Sequence, residues 1–174
     1  MRKPRQKKSK NKQNRLADQA DKHVLYEEAV QCTEAEIDFV DETFEAVRGR
    51  KAALIREDFC GTANSSCEWV RRRSSNRAIG VDLDADVQAW GKKTHIKKLD
   101  KDQKERIELI LADVLEVETE PVDAVLAMNF SYWIFKQRAT LKRYFQRIHD
   151  VLADDGVFFL DCFGGYESFK EMKE

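Results

Sequence analysis

Short apolar runs alternate with amphipathic stretches over most of the chain, and this alternation predicts the order of its strands and helices. Five mainly apolar runs predict strands at 53–55, 78–81, 107–111, 122–128 and 157–160. Between these runs, apolar residues recur three or four positions apart, which is typical of helices that pack on a sheet. Strands that alternate with helices in this way predict an α/β fold with a parallel sheet.

Two further helices are predicted ahead of the first strand. The first covers residues 16–32. The second begins with a predicted capping box, in which Thr33 and Glu36 each accept a hydrogen bond from the other's backbone N–H, and it ends at Gly49. Its apolar stripe consists of Ile37, Val40, Phe44 and Val47.

Two later helices also have recognisable ends. Asp84 is predicted to cap the helix that follows the second strand. The helix before the fifth strand is predicted to end at 154–156, an Asp-Asp-Gly sequence. Its predicted core face consists of Leu141, Phe145, Ile148 and Leu152.

The first four predicted strands are each followed by a group that can accept hydrogen bonds: Glu57, Asp82, Asp113 and Asn129. Parallel strands bring their carboxyl ends to one edge of the sheet, where ligands of such folds bind. A tight turn at Gly61 follows the first strand, and Asp82 comes 21 residues later. That interval is typical of an acid that holds a ribose, so the pattern predicts a nucleoside-type site around the turn.

The turn itself is poorly suited to a pyrophosphate. A dinucleotide site needs three glycines and a helix N-terminus directed at phosphate, whereas this turn has one glycine, preceded by Glu57 and Asp58. A cationic or zwitterionic nucleoside fits better. A nucleotide-binding oxidoreductase of the NAD type stays open as an alternative.

Four segments resemble motifs of the class I S-adenosylmethionine-dependent methyltransferases. Glu57-Asp58-Phe59-Cys60-Gly61-Thr62-Ala63 is similar to their first motif and Gly80-Val81-Asp82-Leu83-Asp84 to their second. Ala112-Asp113-Val114 resembles the third, and Met128-Asn129-Phe130-Ser131-Tyr132 occupies the position of the fourth. The resemblance covers about residues 50–165, and its first two motifs are the specific ones.

This resemblance implies a Rossmann-like, doubly wound and mostly parallel sheet of about five strands in the order 3-2-1-4-5, with leading N-terminal helices. It implies methyl transfer from S-adenosyl-L-methionine to an acceptor that the sequence does not identify. The cofactor-binding residues would be Glu57 at the methionine amino group, Gly61 against the cofactor, Asp82 on the ribose, Leu83 and Asp113 at the adenine, Val114 beside Asp113, and Asn129.

The segment after the fourth strand is expected to face the methyl group and the acceptor. Asn129 and Tyr132 are the predicted substrate-facing residues, and Trp133 is predicted to pack in the core. No residue is assigned a catalytic role with certainty, since displacement at a sulfonium requires only a positioned nucleophile and exclusion of water. A general base is needed only for an acceptor that is protonated at the working pH.

The chain departs from the family pattern at two glycine positions and at its end. Phe59 replaces the first glycine of the first motif and Ala63 the third. The ring of Phe59 must therefore point away from the cofactor. An antiparallel strand pair usually follows the fifth strand, and residues 161–174 do not predict one. A truncated form, a fragment, or a non-catalytic module that binds S-adenosylmethionine is therefore an alternative to an active enzyme.

Charge divides the chain into two parts. Residues 1–15 carry eight basic residues and no acid, whereas the whole chain has a net charge of −1. This segment is predicted to be a disordered tail that could contact RNA or an anionic surface weakly, or that only adds solubility. The predicted organisation is the tail at 1–15, N-terminal helices at 16–50 and the methyltransferase core at 51–174.

Composition limits the compartment and the class of protein. An apolar content of 42% predicts a folded domain, and no apolar run reaches the ~18–20 residues of a membrane span. The four cysteines form no CxxC pair, which favours reduced thiols in a cytoplasmic protein over disulfides or a metal site. The methyl acceptor, a small molecule or a protein, stays open.

Overall fold

The computed structural model describes residues 19–165 together with residues 170 and 171. The predicted basic tail lies outside them. Five strands form one sheet in the order β3-β2-β1-β4-β5, and every neighbouring pair is parallel. This confirms the predicted fold class and strand order. The strands are β1 (Leu54–Asp58), β2 (Arg77–Asp82), β3 (Ile107–Leu111), β4 (Val122–Ala127) and β5 (Leu152–Leu160).

Helices precede the sheet and connect its strands. They are α1 (Lys22–Val30), α2 (Thr33–Arg48), α3 (Asn64–Arg72), α4 (Ala85–Thr94), α5 (Lys101–Glu105) and α6 (Arg138–Val151), with 3₁₀ turns at Ile96–Lys98 and Ser131–Ile134. The chain forms two compact units, residues 1–31 and residues 32–174. In the first unit, α1 begins after Asp21, whose carboxylate accepts from the backbone N–H of His23 and Val24.

The second unit contains the sheet and α2–α6. The chain passes from β1 outward to β2 and β3 and then returns to the other side of β1, so the switch point lies between β1 and β4. Ligands of doubly wound sheets bind at the carboxyl end of this point. Apolar residues of both sheet faces are buried: one face packs with α2 and α3, and the other packs with α6.

The helix α2 belongs to the same unit as the sheet, because Ile37, Val40 and Phe44 are buried in the core. The predicted division at residue 50 therefore does not separate it from the sheet. The predicted capping box between Thr33 and Glu36 does not form, and Cys32 is the N-cap residue. Glu36 accepts from the backbone N–H of Cys32, but the Thr33 hydroxyl accepts from the side chain of Asn64 at the start of α3.

The structure differs from the prediction at two strand boundaries and at one helix face. Strand β1 continues through Arg56, Glu57 and Asp58, which are all buried although they are charged. The segment 154–156, predicted to end the last helix, lies inside β5 next to an irregularity in its pairing with β4. The core face of α6 consists of Tyr144, Ile148 and Val151, whereas Phe145 is largely exposed. On this face the Tyr144 hydroxyl donates to the buried carboxylate of Asp58.

Over residues 19–165 and 170–171, no helix combines the length and the apolar character needed to cross a membrane.

Candidate functional site

A cavity of about 310 Å³ lies at the carboxyl ends of β1, β2 and β3, where the fold places a ligand. Four of the predicted residues line it: Asp82, Leu83, Asp113 and Val114. Its remaining walls are Phe59, Asp84, Ala112, Ile134 and Phe135. The sequence carries no signal for Ile134 and Phe135, because apolar residues in or beside a short 3₁₀ turn resemble ordinary core residues.

The turn after β1 has an unusual backbone. Phe59, Gly61 and Ala63 all adopt left-handed conformations, with φ of 58°, 51° and 58°. These are the three positions at which the family pattern has glycine. A non-glycine residue in this region costs about 1–3 kcal/mol and persists only where the surrounding structure holds it. The turn therefore keeps the glycine-type backbone at two positions without glycine.

Asp82 holds this turn in place. Its Oδ2 accepts from the backbone N–H of Gly61 at 2.7 Å, and its Oδ1 accepts from that of Asp84 at 2.8 Å. A carboxylate has about four acceptor positions, so two remain for a ligand in the cavity. The 21-residue interval read from the sequence thus corresponds to a direct contact between the turn and the end of β2.

Gly91 on α4 lets the helix lie directly against the same turn. A Cβ atom at this position would stand 2.1 Å from the carbonyl oxygen of Thr62 and 2.8 Å from its Cα. Any side chain here must move the backbone of either the helix or the turn. The sequence does not point to this residue, since a glycine within a helix does not reveal which backbone lies against it.

Glu57 lies behind the turn and is buried. Its Oε2 accepts from the backbone N–H and the hydroxyl of Ser66, in the first turn of α3. Burial raises the pKa of Glu57 to about 7, although its hydrogen bonds with Ser66 act in the opposite direction. By accepting from the Ser66 N–H, Glu57 uses one of the backbone donors at the N-terminus of α3. In a dinucleotide site, a pyrophosphate would bind to these donors.

Asp113 and Val114 follow β3 in the chain, and Leu83 follows the neighbouring strand β2. All three residues line the cavity. The Asp113 Oδ1 accepts from the backbone N–H of Leu115 at 2.8 Å. Val114 is buried, whereas Leu83 is 66% exposed beside the cavity. An exposed leucine next to carboxylates is suited to the face of a flat, partly apolar ligand such as a purine.

The segment after β4 is held by a residue that the sequence analysis did not single out. Asn129 and Phe130 both have left-handed backbones. The carboxylate of Asp161, just after β5, accepts from their N–H groups at 3.0 and 2.8 Å. Asp161 resembled an ordinary polar residue at a strand end, and only the tertiary structure brings it to this segment.

The aromatic residues of this segment are arranged differently from the prediction. Tyr132 packs against the core on the α6 side and contacts the ring of Phe145, so its substrate-facing role stays a prediction. Trp133, predicted in the core, is 44% exposed, which contradicts that prediction. It forms an exposed group of rings with Phe130 and Phe163, because Phe130 contacts both.

The ring of Phe59, expected to point away from the cofactor, belongs to a residue that lines the cavity, so this expectation stays a prediction. The ring packs against Phe135 and Tyr144, with centroid distances of 6.0 and 5.8 Å, and so forms part of a side wall of the cavity.

Apart from Asp58, which pairs with Arg56, the carboxylates at this edge of the sheet accept hydrogen bonds but have no basic partner among the described residues. Among the described residues, no arginine or lysine lies within ion-pair distance of Glu57, Asp82, Asp113 or Asp161. Uncompensated carboxylates around a cavity produce a negative potential, which attracts cations and repels phosphate.

Known structures share this fold. The sugar N-methyltransferase KedS8 from Streptoalloteichus sp ATCC 53650 is 20% identical, with a TM-score of 0.70 over 88% of this chain and 58% of its own. For the amino pentose methyltransferase CalS10 from Micromonospora echinaspora, solved with S-adenosylmethionine, the identity is 17%, the TM-score 0.67 and the coverage 82% and 56%. The chain thus spans little more than half the length of these structures.

A third similar structure is an S-adenosylmethionine-dependent methyltransferase from Clostridium acetobutylicum, at 18% identity, with a TM-score of 0.66 over 79% of this chain and 55% of its own. No curated protein sequence matches the chain significantly. A family model described as a methyltransferase domain matches residues 58–160, which is more than half of the chain and runs from the end of β1 through β5. The chain belongs to this family, the class I S-adenosylmethionine-dependent methyltransferases.

Proposed function

We propose that the protein binds S-adenosyl-L-methionine in the cavity at the carboxyl ends of β1–β3 and transfers its methyl group to an acceptor. The observation that carries this proposal is the turn at Gly61, which Asp82 clamps beside a cavity whose carboxylates have no basic partner among the described residues. Such a cavity suits a nucleoside that carries positive charge.

The adenosine part of the cofactor is assigned to the β2 and β3 side of the cavity. Asp82 retains acceptor positions for the two ribose hydroxyls, and Asp113 can accept from the adenine amine. Leu83 supplies an apolar surface for the purine face. Val114 and Phe135 also line the cavity. These assignments agree with the roles that the family resemblance implies.

The methionine part of the cofactor is assigned to the end of β1. Its ammonium group would favour the ionised form of Glu57, whose pKa burial raises to about 7. Gly61 has no side chain that would keep the cofactor from the turn, and the nearest atom to a Cβ built there is 3.7 Å away on Val87. A small side chain would fit that space, but the left-handed backbone favours glycine.

The bound cofactor supplies an activated methyl group on a sulfonium. The protein's own task is then to place the acceptor in line with that methyl group and to exclude water. Asn129 is the proposed residue at this position, because Asp161 fixes its backbone at the end of β4. Tyr132, held by its packing on the core, remains a second candidate for contact with the acceptor.

The acceptor is unidentified. The proteins solved with this fold include enzymes named for amino pentose, sugar and glycopeptide N-methylation. Amino sugars and other amines are therefore the first acceptors to screen. The weak contact of residues 1–15 with RNA or an anionic surface stays a separate proposal that the described residues do not address. We also propose a cytoplasmic location, which the free cysteines favour.

Calorimetry with three ligands tests cofactor binding. S-adenosylmethionine and S-adenosylhomocysteine are expected to bind, and NAD is expected not to bind, since Glu57 occupies an α3 donor that a pyrophosphate would need. Binding of NAD without binding of either sulfur compound would favour an oxidoreductase instead. Methyl transfer to an amine panel then separates an active enzyme from a binding module.

A further inference from the structure

A charged network is buried beneath the cavity, in the middle of an otherwise apolar layer. Arg56 and Asp58 project from the same face of β1, two residues apart, and Tyr144 on α6 faces them. All three side chains are at most 2% exposed. We call Arg56, Asp58 and Tyr144 the β1 network.

The bonds within this network connect three elements. The Arg56 Nε donates to the Asp58 Oδ1 at 2.7 Å, and its Nη2 donates to Oδ2 at 3.3 Å. The Tyr144 hydroxyl donates to the same Oδ2 at 2.9 Å. The Arg56 Nη2 also reaches the carbonyl oxygen of Val114, after β3, at 3.5 Å. The network therefore joins β1, α6 and the segment that holds Asp113.

Each connection ends at a wall of the cavity. Val114 lines the cavity directly. The Tyr144 ring packs against Phe59 and Phe135, which are also lining residues, with centroid distances of 5.8 and 5.2 Å. Phe59 has a left-handed backbone, so its position depends on the groups that hold its ring. The network thus reaches two sides of the cavity at once.

Stability alone is a poor reason for such a network. Burying a carboxylate and a guanidinium costs desolvation, and burial acts to raise the pKa of Asp58 despite its partners. Apolar residues of similar volume often stabilise a protein as well or better than a buried ion pair. Apolar packing lacks the directional hydrogen bonds that fix the distance between neighbouring elements.

We propose that the β1 network is a positioning device, which sets the separation of the cavity walls and so the affinity for the cofactor. Its residues act through Phe59, Phe135 and Val114, without contact between the network and the ligand. This inference rests on the proposed function, because the walls that the network positions are those of the proposed cofactor cavity.

Two variants of the full chain test the inference. The triple variant Arg56→Met, Asp58→Leu, Tyr144→Phe replaces the network with apolar residues, and it is expected to retain the melting temperature of the wild type or exceed it. Its dissociation constant for S-adenosylhomocysteine is expected to rise by about tenfold or more, since small misplacements of binding groups have effects of this size. Tyr144→Phe removes only the hydroxyl, and a rise of about fivefold is expected.

Ile148→Val provides the matched control. It lies one turn further along α6 in the same core cluster as Tyr144, is similarly buried, and has no side-chain group that can form a hydrogen bond with the network. It is expected to lower the melting temperature without changing the affinity for S-adenosylhomocysteine. Wild-type affinity in a folded triple variant would overturn the inference.

If the triple variant does not fold, Tyr144→Phe decides, and an affinity equal to that of Ile148→Val would assign the network a structural role only. Failure of the wild-type chain itself to bind S-adenosylhomocysteine would instead overturn the proposed function and, with it, the inference.

Discussion

The two ends of the sheet use carboxylates in opposite ways. At the amino end, Asp123 accepts from the backbone N–H groups of Ala53 and Leu54 and also pairs with Arg50, which holds Asp155 as well. At the carboxyl end, Asp82 accepts from two backbone N–H groups in the same manner but has no basic partner among residues 19–165 and 170–171. The first arrangement compensates its charge within the protein, and the second leaves charge available.

Backbone strain follows the same division. Among the described residues, the non-glycine positions with left-handed backbones are Phe59, Ala63, Asn129 and Phe130, and all four lie at the carboxyl end. Strain and uncompensated charge both cost stability, and they coincide where the fold places its ligand. The comparison indicates that the amino end stabilises the sheet, whereas the carboxyl end is arranged for binding.

The largest expected difference between the ends is in their response to pH. The folded-state pKa of Glu57, about 7, lies above its ordinary value of 4.5, so the folded protein binds this proton more tightly than the unfolded chain does. The free energy of unfolding should therefore fall by about 3 kcal/mol as the pH rises from about 4.5 to 7, and then level off. Denaturant titrations at several pH values measure this fall.

Glu57→Gln is the control for that response. It keeps the shape of the side chain and removes its ionisation. The free energy of unfolding of this variant should therefore fall by about 3 kcal/mol less than that of the wild type over the same pH range. In the wild type, affinity for S-adenosylhomocysteine should increase between pH 6 and 8, because a ligand ammonium favours the ionised carboxylate. An equally steep pH dependence of affinity in Glu57→Gln would remove Glu57 from the methionine site.

Gly91→Ala should disrupt the carboxyl end by crowding. The added methyl group meets the Thr62 carbonyl at 2.1 Å, so α4 and the Gly61 turn must separate. We expect a loss of about 2 kcal/mol in unfolding free energy, although alanine is the better helix former by about 1 kcal/mol. Affinity for S-adenosylhomocysteine should fall as well, which calorimetry measures.

Gly49→Ala is the matched substitution at a glycine away from the turn. Gly49 has a φ of 68° and no atom within 4 Å of the added methyl group. It should cost about 1 kcal/mol through its backbone alone and leave the affinity unchanged. If both alanine variants bind S-adenosylhomocysteine like the wild type, the close approach of α4 does not shape the site.

Asp123→Asn should weaken the amino end alone. Both carboxylate oxygens of Asp123 accept hydrogen bonds, so an amide nitrogen must face a donor on one side. A loss of about 1–2 kcal/mol in unfolding free energy is expected at pH 7. Burial acts to raise the pKa of Asp123, but its hydrogen bonds and Arg50 hold it below the ordinary value.

The pH dependence of that loss has a definite sign. A carboxylate with a lowered folded-state pKa stabilises the protein above its unfolded value of 3.8, and this stabilisation disappears as the pH falls through the folded value. The difference between wild type and Asp123→Asn should therefore shrink below about pH 4. A difference that persists in acid would mean that the charge of Asp123 contributes little.

The strands and part of the cavity could be predicted from the chain, because apolar runs and the acids after them are local signals, whereas the strand order followed from the family resemblance. Asp82 and Asp113, which were predicted from their positions after strands, both line the cavity. The missed features depend on partners distant in sequence. Arg56 and Asp58 lay outside the strand predicted at 53–55, and they are buried in β1, where they pair with each other and Asp58 accepts from Tyr144.

The same reason explains the other differences. Gly91 and Asp161 act through backbone groups of Thr62 and Phe130, and nothing in their own neighbourhoods indicates those contacts. Trp133 is exposed in a segment that begins with the left-handed backbones of Asn129 and Phe130. Such a backbone is difficult to anticipate at a phenylalanine, since non-glycine residues adopt it rarely.

The most direct test of the contrast between the two ends is the affinity for S-adenosylhomocysteine of Asp82→Asn and Asp123→Asn, measured by calorimetry beside the wild type. Each end of the sheet has a carboxylate that accepts from backbone N–H groups, and the same substitution is made in both. Asp82→Asn should weaken binding at least tenfold, about 1.4 kcal/mol or more, while Asp123→Asn stays within about twofold of the wild type. Equal affinities in all three proteins would contradict the assignment of the carboxyl-end cavity to the cofactor.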